Sequence, residues 1–198
     1  MKLEPVTGRR PVDRRREDHV IRYVAFLRAI NVGGHTVKMD RLRALFEEMR
    51  LANVETFIAS GNVLFDAPSP PIAATEARIE RHLERALGYG VATFVRPLGG
   101  LSSVVASHPF ERFERDGHAL SIGFLKGPLS PDANQTLAAL QTGYDEFHAH
   151  DREVYWLCHG KMSDSKVWGS VLDKALGSPV TFRNVTTVRK LAAKAASA

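Results

Sequence analysis

Val20–Arg28 (VIRYVAFLR) is a nearly unbroken apolar run rich in β-branched and aromatic residues. That is the pattern of a central strand covered on both faces. Asn31-Val32-Gly33-Gly34 breaks it. Met39, Leu42, Leu45, Phe46 and Met49 then recur at helical spacing, with Arg41, Arg43, Glu47 and Glu48 on the other face. Val54–Ile58 and Asn62–Phe65 read as strands joined through Ala59-Ser60-Gly61, a hairpin signal. Pro68-Ser69-Pro70-Pro71 is a rigid connector. Ile72–Leu87 predicts a second helix, stopped by Gly88 and Gly90, and Val91–Val95 a fourth strand. The order is β-α-β-β-α-β, the ferredoxin-like arrangement.

Past Gly99-Gly100 and a short helix over Leu101–Ser107, the order repeats. Ala119–Lys126 is a strand and Asp132–Gln141 a helix. Asp145–Ala149 and Val154–Cys158 form a hairpin around Asp151-Arg152. Lys166–Leu176 is a helix, Val180–Phe182 a short strand and Asn184–Ala196 a terminal helix. AFLRA at 25–29 is echoed by GFLKG at 123–127, and TFIASGNVLF by EFHAHDREVYWL. The expected fold class is therefore α+β, with two ferredoxin-like (βαββαβ) units arising by duplication. The first spans 20–97, and the second, with its extra terminal helix, 98–198. Residues 1–19 set Lys2, Arg9, Arg10, Arg14, Arg15 and Arg16 against Glu4, Asp13, Glu17 and Asp18, without apolar periodicity. They read as a disordered basic extension.

Composition narrows the function classes. The chain of 198 residues is 44% hydrophobic and 25% charged, ordinary for a globular protein. Its single cysteine, Cys158, excludes a disulfide framework and a multi-cysteine zinc site. No apolar run approaches the ~20 residues that span a bilayer, and the N-terminus lacks a signal-peptide core. A cytoplasmic location with no membrane contact is expected. The net charge of +5 favours anionic partners. Residues 1–19 would give weak, nonspecific attraction to nucleic acid. Nothing in the pattern sets an oligomeric state.

The segments YVAFLRAINVGG, MDRLRALFEEM, TFIASGNVLF and TFRNVTTVRKLA together resemble the bacterial family of unknown function DUF1697, over about Ile21 to Ala193. The resemblance implies a cytoplasmic bacterial protein of two ferredoxin-like halves, and it implies no established activity. Residues 1–19 depart from the family pattern as an addition. His108-Pro109-Phe110 stands where the family more often has Asn-Pro-Phe. Phe182 and Val185-Thr186 depart from the family's T-T-R-N-W-N.

Two constellations could bind a ligand. In a βαββαβ unit the loop after the first strand and the hairpin between strands two and three lie at one end. This gathers Arg28, Asn31, Gly33 and Gly34 with Ser60, Gly61 and Asn62. Arginine offers a planar fork for phosphate or carboxylate, glycines open backbone N–H groups, and the helix starting near Lys38 adds a positive dipole end. The same residues could also be scaffold: tight turns at Gly33-Gly34, a positive φ at Gly61, a cap at Asn31. The second constellation is Lys161, Ser163, Ser165 and Lys166 with Thr181, Arg183 and Asn184, where Asn184 or Thr186 could equally cap the last helix.

Weaker signals surround these two. His148 and His150 alternate on one strand face near Cys158-His159, which suits either a metal or solvent. Trp156 and Trp168 read as core rather than as stacking platforms. No catalytic nucleophile–base pair can be named, and no cofactor or metal is expected. The leading expectation is a protein that binds a small phosphate- or carboxylate-bearing ligand through these loops. An enzyme acting on such a ligand and a nucleic-acid-binding protein are the alternatives.

Overall fold

The computed structural model describes residues 20–31, 34, 36–58, 61–69, 71–110, 117–167 and 170–195. The expectations for residues 1–19, Gly33, Ser60 and Trp168 lie outside them.

The first unit runs β1 (Val20–Leu27), α1 (Met39–Glu48), β2 (Ala52–Phe57), β3 (Asn62–Pro68), α2 (Ile72–Leu87) and β4 (Thr93–Pro97). A 3-10 turn over Leu98–Gly100 leads into α3 (Leu101–Ala106). The second unit runs β5 (Ala119–Phe124), α4 (Pro131–Ala139), β6 (Asp145–His150), β7 (Glu153–Cys158), α5 (Ser170–Leu176), β8 (Thr181–Asn184) and α6 (Val185–Ala195). The strand orders are β2-β3-β1-β4 and β6-β7-β5-β8, antiparallel throughout. Both match the expected ferredoxin-like plait.

One helix differs from its expected start. The pattern over Lys166–Leu176 predicts a continuous helix, yet Lys166 and Val167 are not helical, and the described part of α5 is Ser170–Leu176. The Ser165 hydroxyl accepts a hydrogen bond from the Val167 N–H, a local turn that competes with helix formation.

Strand β1 is apolar on both faces because each face meets a different core. Tyr23, Ala25 and Leu27 pack with Leu42, Leu45, Phe46, Ile79 and Leu83 of α1 and α2. Val24 and Phe26 join Leu64 and Phe94 and meet Leu120, Ile122, Phe124 and Tyr155 of the second sheet. The far face of that sheet buries Trp156 with Leu137, Leu172 and Leu176 under α4 and α5. The layers are helices, sheet, sheet, helices. At the centre the rings of Phe26 and Phe124 stack at 4.0 Å and 12°, a pairing that contributes roughly 0.5–1.5 kcal/mol beyond its area.

The echo between the halves extends to side chains. Arg96 lies opposite Val24, and Arg183 opposite Ile122. Asn62 lies opposite Phe26, and Glu153 opposite Phe124. Each arginine crosses into the other unit. Arg183 Nε donates to Asn62 Oδ1 at 2.6 Å, and its Nη2 to the Leu27 carbonyl at 2.9 Å. Arg96 Nε donates to Glu153 Oε1 at 2.7 Å, and its Nη2 to the Leu125 carbonyl at 2.9 Å. Arg183 sits over the Phe26 ring and Arg96 over the Phe124 ring, at 5.6 and 5.4 Å.

The basic residue after each first strand repeats the exchange. Arg28 pairs with Asp173 of α5, and Lys126 with Glu80 and Glu76 of α2. Glu76 and Glu80 also accept the edge amides of Val95 and Thr93, at 2.8 Å each. That caps β4 against pairing with another strand.

Arg183→Met should lower stability in urea unfolding by roughly 2–4 kcal/mol, because it strands the buried Leu27 carbonyl and the Asn62 side chain. Arg183→Lys should fall nearly as far, since an ammonium cannot copy the fork. Unchanged stability in both variants would contradict this account of the seam. Arg28→Ala should cost only about 0.2–1 kcal/mol, because its ion pair is partly solvated. A double-mutant cycle with Asp173→Ala measures that coupling.

Candidate functional site

The topology brings the end of β1 and the β2–β3 hairpin together as expected. The Leu27 N–H donates to the Gly61 carbonyl at 2.8 Å. Gly61 has φ of +72°, and a Cβ there would lie 2.7 Å from Ile30 Cγ2, so only glycine fits. Gly34, at φ of +87°, is exposed.

The polar groups gathered here are engaged with the protein itself. Asn31 Oδ1 accepts the Val37 N–H at 2.7 Å, closing the loop. Asn62 is buried, donates to the Phe57 carbonyl at 2.9 Å and accepts from Arg183. Arg28 faces Asp173.

The second constellation divides. Arg183 turns into the seam between the sheets and is 9% exposed. Its Nη1 donates to Thr181 Oγ1 and the Phe182 carbonyl, at 2.9 and 2.8 Å, and its Nη2 reaches the Gly61 carbonyl at 3.4 Å. Burial pulls its pKa down to about 10, which leaves it protonated at neutral pH. Lys161 and Ser163 are exposed. Tyr144 donates to the Lys161 carbonyl, and the Ser163 hydroxyl to Asp164, at 2.8 and 3.0 Å. Asn184 caps α6, its Oδ1 accepting the Thr186 N–H at 2.8 Å. The two constellations therefore touch, but only through a buried arginine.

Groups that could carry covalent chemistry are placed unfavourably for it. Cys158 is fully buried, and burial together with Asp145 pushes its thiol up to about 12. It is no thiolate nucleophile at neutral pH. His148 and His150 are exposed on β6. His159 pairs with Glu146 and meets the His118 ring edge-on at 4.7 Å. Among the described residues no three His, Cys, Asp or Glu side chains are grouped to hold a metal. Also among them, no helix is long and apolar enough to cross a membrane.

A groove that sequence reasoning missed opens beside the seam. It encloses about 470 Å³ and is lined by Arg22, Glu55, Leu64, Leu98, Lys190, Ala193 and Lys194. Arg22, Val24 and Phe26 share the inner face of β1 by strand alternation, and at the Arg22 level α6 of the second unit supplies the opposite wall. The Arg22 guanidinium is held by Asp66 at 3.0 Å and donates to the Asn53 carbonyl, where β2 bulges between Ala52 and Glu55. Lys194 Nζ lies 2.8 Å from Glu55 Oε1 and 5.6 Å from the centre of the Phe57 ring. Lys190, one turn earlier on α6, is exposed and has no ion pair among the described residues. The Lys190/Lys194 spacing was legible as one helix face. That this face meets β2 was not.

Comparison with known proteins supports the fold and assigns no activity. A search of curated proteins finds no match. A solved structure, that of a conserved bacterial protein from Streptococcus pneumoniae, is similar with a TM-score of 0.67 and 22% identity. The match covers 88% of this chain and 98% of that one. At that identity the similarity shows the shared two-unit fold alone. The family model described as protein of unknown function (DUF1697) matches residues 20–155. With most of both sheets inside the matched span, the chain belongs to the DUF1697 family.

Proposed function

We propose that this protein binds a small phosphate- or carboxylate-bearing ligand, in the groove between α6 and the inner face of the first sheet. The observation that carries this reading is the lining. Within the lining, Arg22, Lys190 and Lys194 stand against one carboxylate, Glu55, over an apolar floor of Leu64, Leu98 and Ala193, and Asp66 pairs with Arg22 from outside the lining. Lys190 is the cation without a protein partner among the described residues. A cation beside low-dielectric walls attracts anions more strongly than an isolated surface lysine does. The loop constellations support the reading less, because Arg28, Asn31, Asn62 and Arg183 are already hydrogen-bonded within the protein.

The enzyme alternative lacks a nucleophile–base pair among the described residues. The nucleic-acid alternative is disfavoured because the inner sheet faces pack against each other, so they offer no open platform on which bases could stack. A cytoplasmic location belongs to the same reading, supported by the single unpaired cysteine.

Thermal unfolding with inorganic pyrophosphate tests the site. The ligand should raise the melting temperature in a concentration-dependent way. Lys190→Glu should abolish the rise without changing the unliganded melting curve, because Lys190 is exposed. An equal rise in the variant would place the anion elsewhere and overturn the groove assignment.

A further inference from the structure

The groove carries an anion of its own. Glu55 Oε1 lies 2.8 Å from Lys194 Nζ, and Oε2 lies 3.5 Å from Arg22 Nη2. The carboxylate thus bridges α6 of one unit and β1 of the other across the groove. It is not part of the core, since its side chain is 44% exposed. Its strand position, opposite Leu64, directs it onto the inner face beside the two cations. Arg22 is meanwhile kept in place independently by Asp66 and Asn53.

We propose that Glu55 is a resident competitor that weakens every anion in the groove, so that of the anions its three cations attract, phosphate monoesters bind and carboxylates fall below the threshold. The inference rests on the groove reading above. An incoming anion must share or displace Glu55 to reach Lys194 and Arg22. A carboxylate offers those cations the same charge and oxygen count as the group it displaces, and Glu55 is tethered, so the exchange gains little. A phosphoryl dianion brings a second charge and a third oxygen, enough to engage Lys190 together with the pair that Glu55 bridges. The apolar floor of Leu64, Leu98 and Ala193 then seats the carbon part of the ester. Glu55 therefore sets a threshold. It weakens every anion, and only those that exceed a carboxylate in charge stay above it.

The test uses phenyl phosphate and benzoate, which share a ring and differ in head group, titrated at pH 7.5 and constant ionic strength. Wild-type protein should bind phenyl phosphate and bind benzoate at least about tenfold more weakly, a gap of roughly 1.4 kcal/mol. Glu55→Gln should tighten benzoate by about tenfold, bringing it into the measurable range, and phenyl phosphate by at least as much, because a unit charge a few ångströms away is removed and the dianion feels it more strongly. Glu48→Gln, at a half-exposed carboxylate on α1, serves as a control and should leave both affinities unchanged. Unliganded melting curves confirm that the variants are folded, and Glu55→Ala provides a second neutral substitution.

If phenyl phosphate binds and neither Glu55 variant binds it more tightly, the competitor role is overturned while the groove stands. If wild-type protein binds benzoate as tightly as phenyl phosphate, the ligand class is overturned. If no protein binds either probe, the groove reading falls as well.

Discussion

Two guanidinium groups, Arg96 and Arg183, cross between the sheets, and the arrangement of the halves depends on them. The inner sheet faces are apolar at their centre, around the stacked Phe26 and Phe124. Strand ends nevertheless bring backbone carbonyls to the seam, and a buried carbonyl without a donor is costly. Each arginine supplies a planar set of five donors. Arg183 satisfies Leu27, Gly61 and Asn62, and Arg96 satisfies Leu125, Arg152 and Glu153. The geometry works only when the sheets stand in one relative register, so the same bonds that satisfy the carbonyls also select the packing. The two copies are not equal. Among the described residues Arg96 meets a carboxylate, whereas Arg183 meets neutral acceptors and a ring face; burial draws the pKa of both down.

This use of charge decides what remains for function. Arg28 and Asn62, two of the residues that look most like an anion site in the first unit, are consumed in joining the units. Arg28 and Lys126 sit at matching places after β1 and β5, and both reach carboxylates on the other unit's second helix. The central part of the seam is filled. At its margin lies the groove, with Lys190, which has no ion pair among the described residues, and a bridging glutamate, Glu55. A ligand site there would inherit its stiffness from both units at once, since Arg22 comes from β1 and Lys190 and Lys194 from α6.

Much of the fold was legible because it rests on local patterning. Val20–Arg28 announced a strand covered on both faces, and the second sheet proved to be what covers its other side. The hairpin at Gly61, the cap at Asn184 and the core position of Trp156 each follow from the chemistry of one or two residues. Lys166 and Val167 were misread as helical because Ser165 closes a local turn that apolar spacing does not reveal.

The partners of the charged residues were a different matter. Arg183 and Asn62 are separated by 121 positions, and Arg28 and Asp173 by 145. Periodicity reports which face a residue occupies, not which distant face it meets. The sequence by itself determined two βαββαβ units, their strand order and the places where glycine and asparagine shape the turns, because those depend on neighbours within one unit. Only the tertiary structure decided that the halves pack sheet to sheet, that Arg28, Arg96, Lys126 and Arg183 are spent holding them together, and that a groove opens under α6. Those outcomes depend on donors and acceptors from opposite ends of the chain meeting in a space that neither half forms alone.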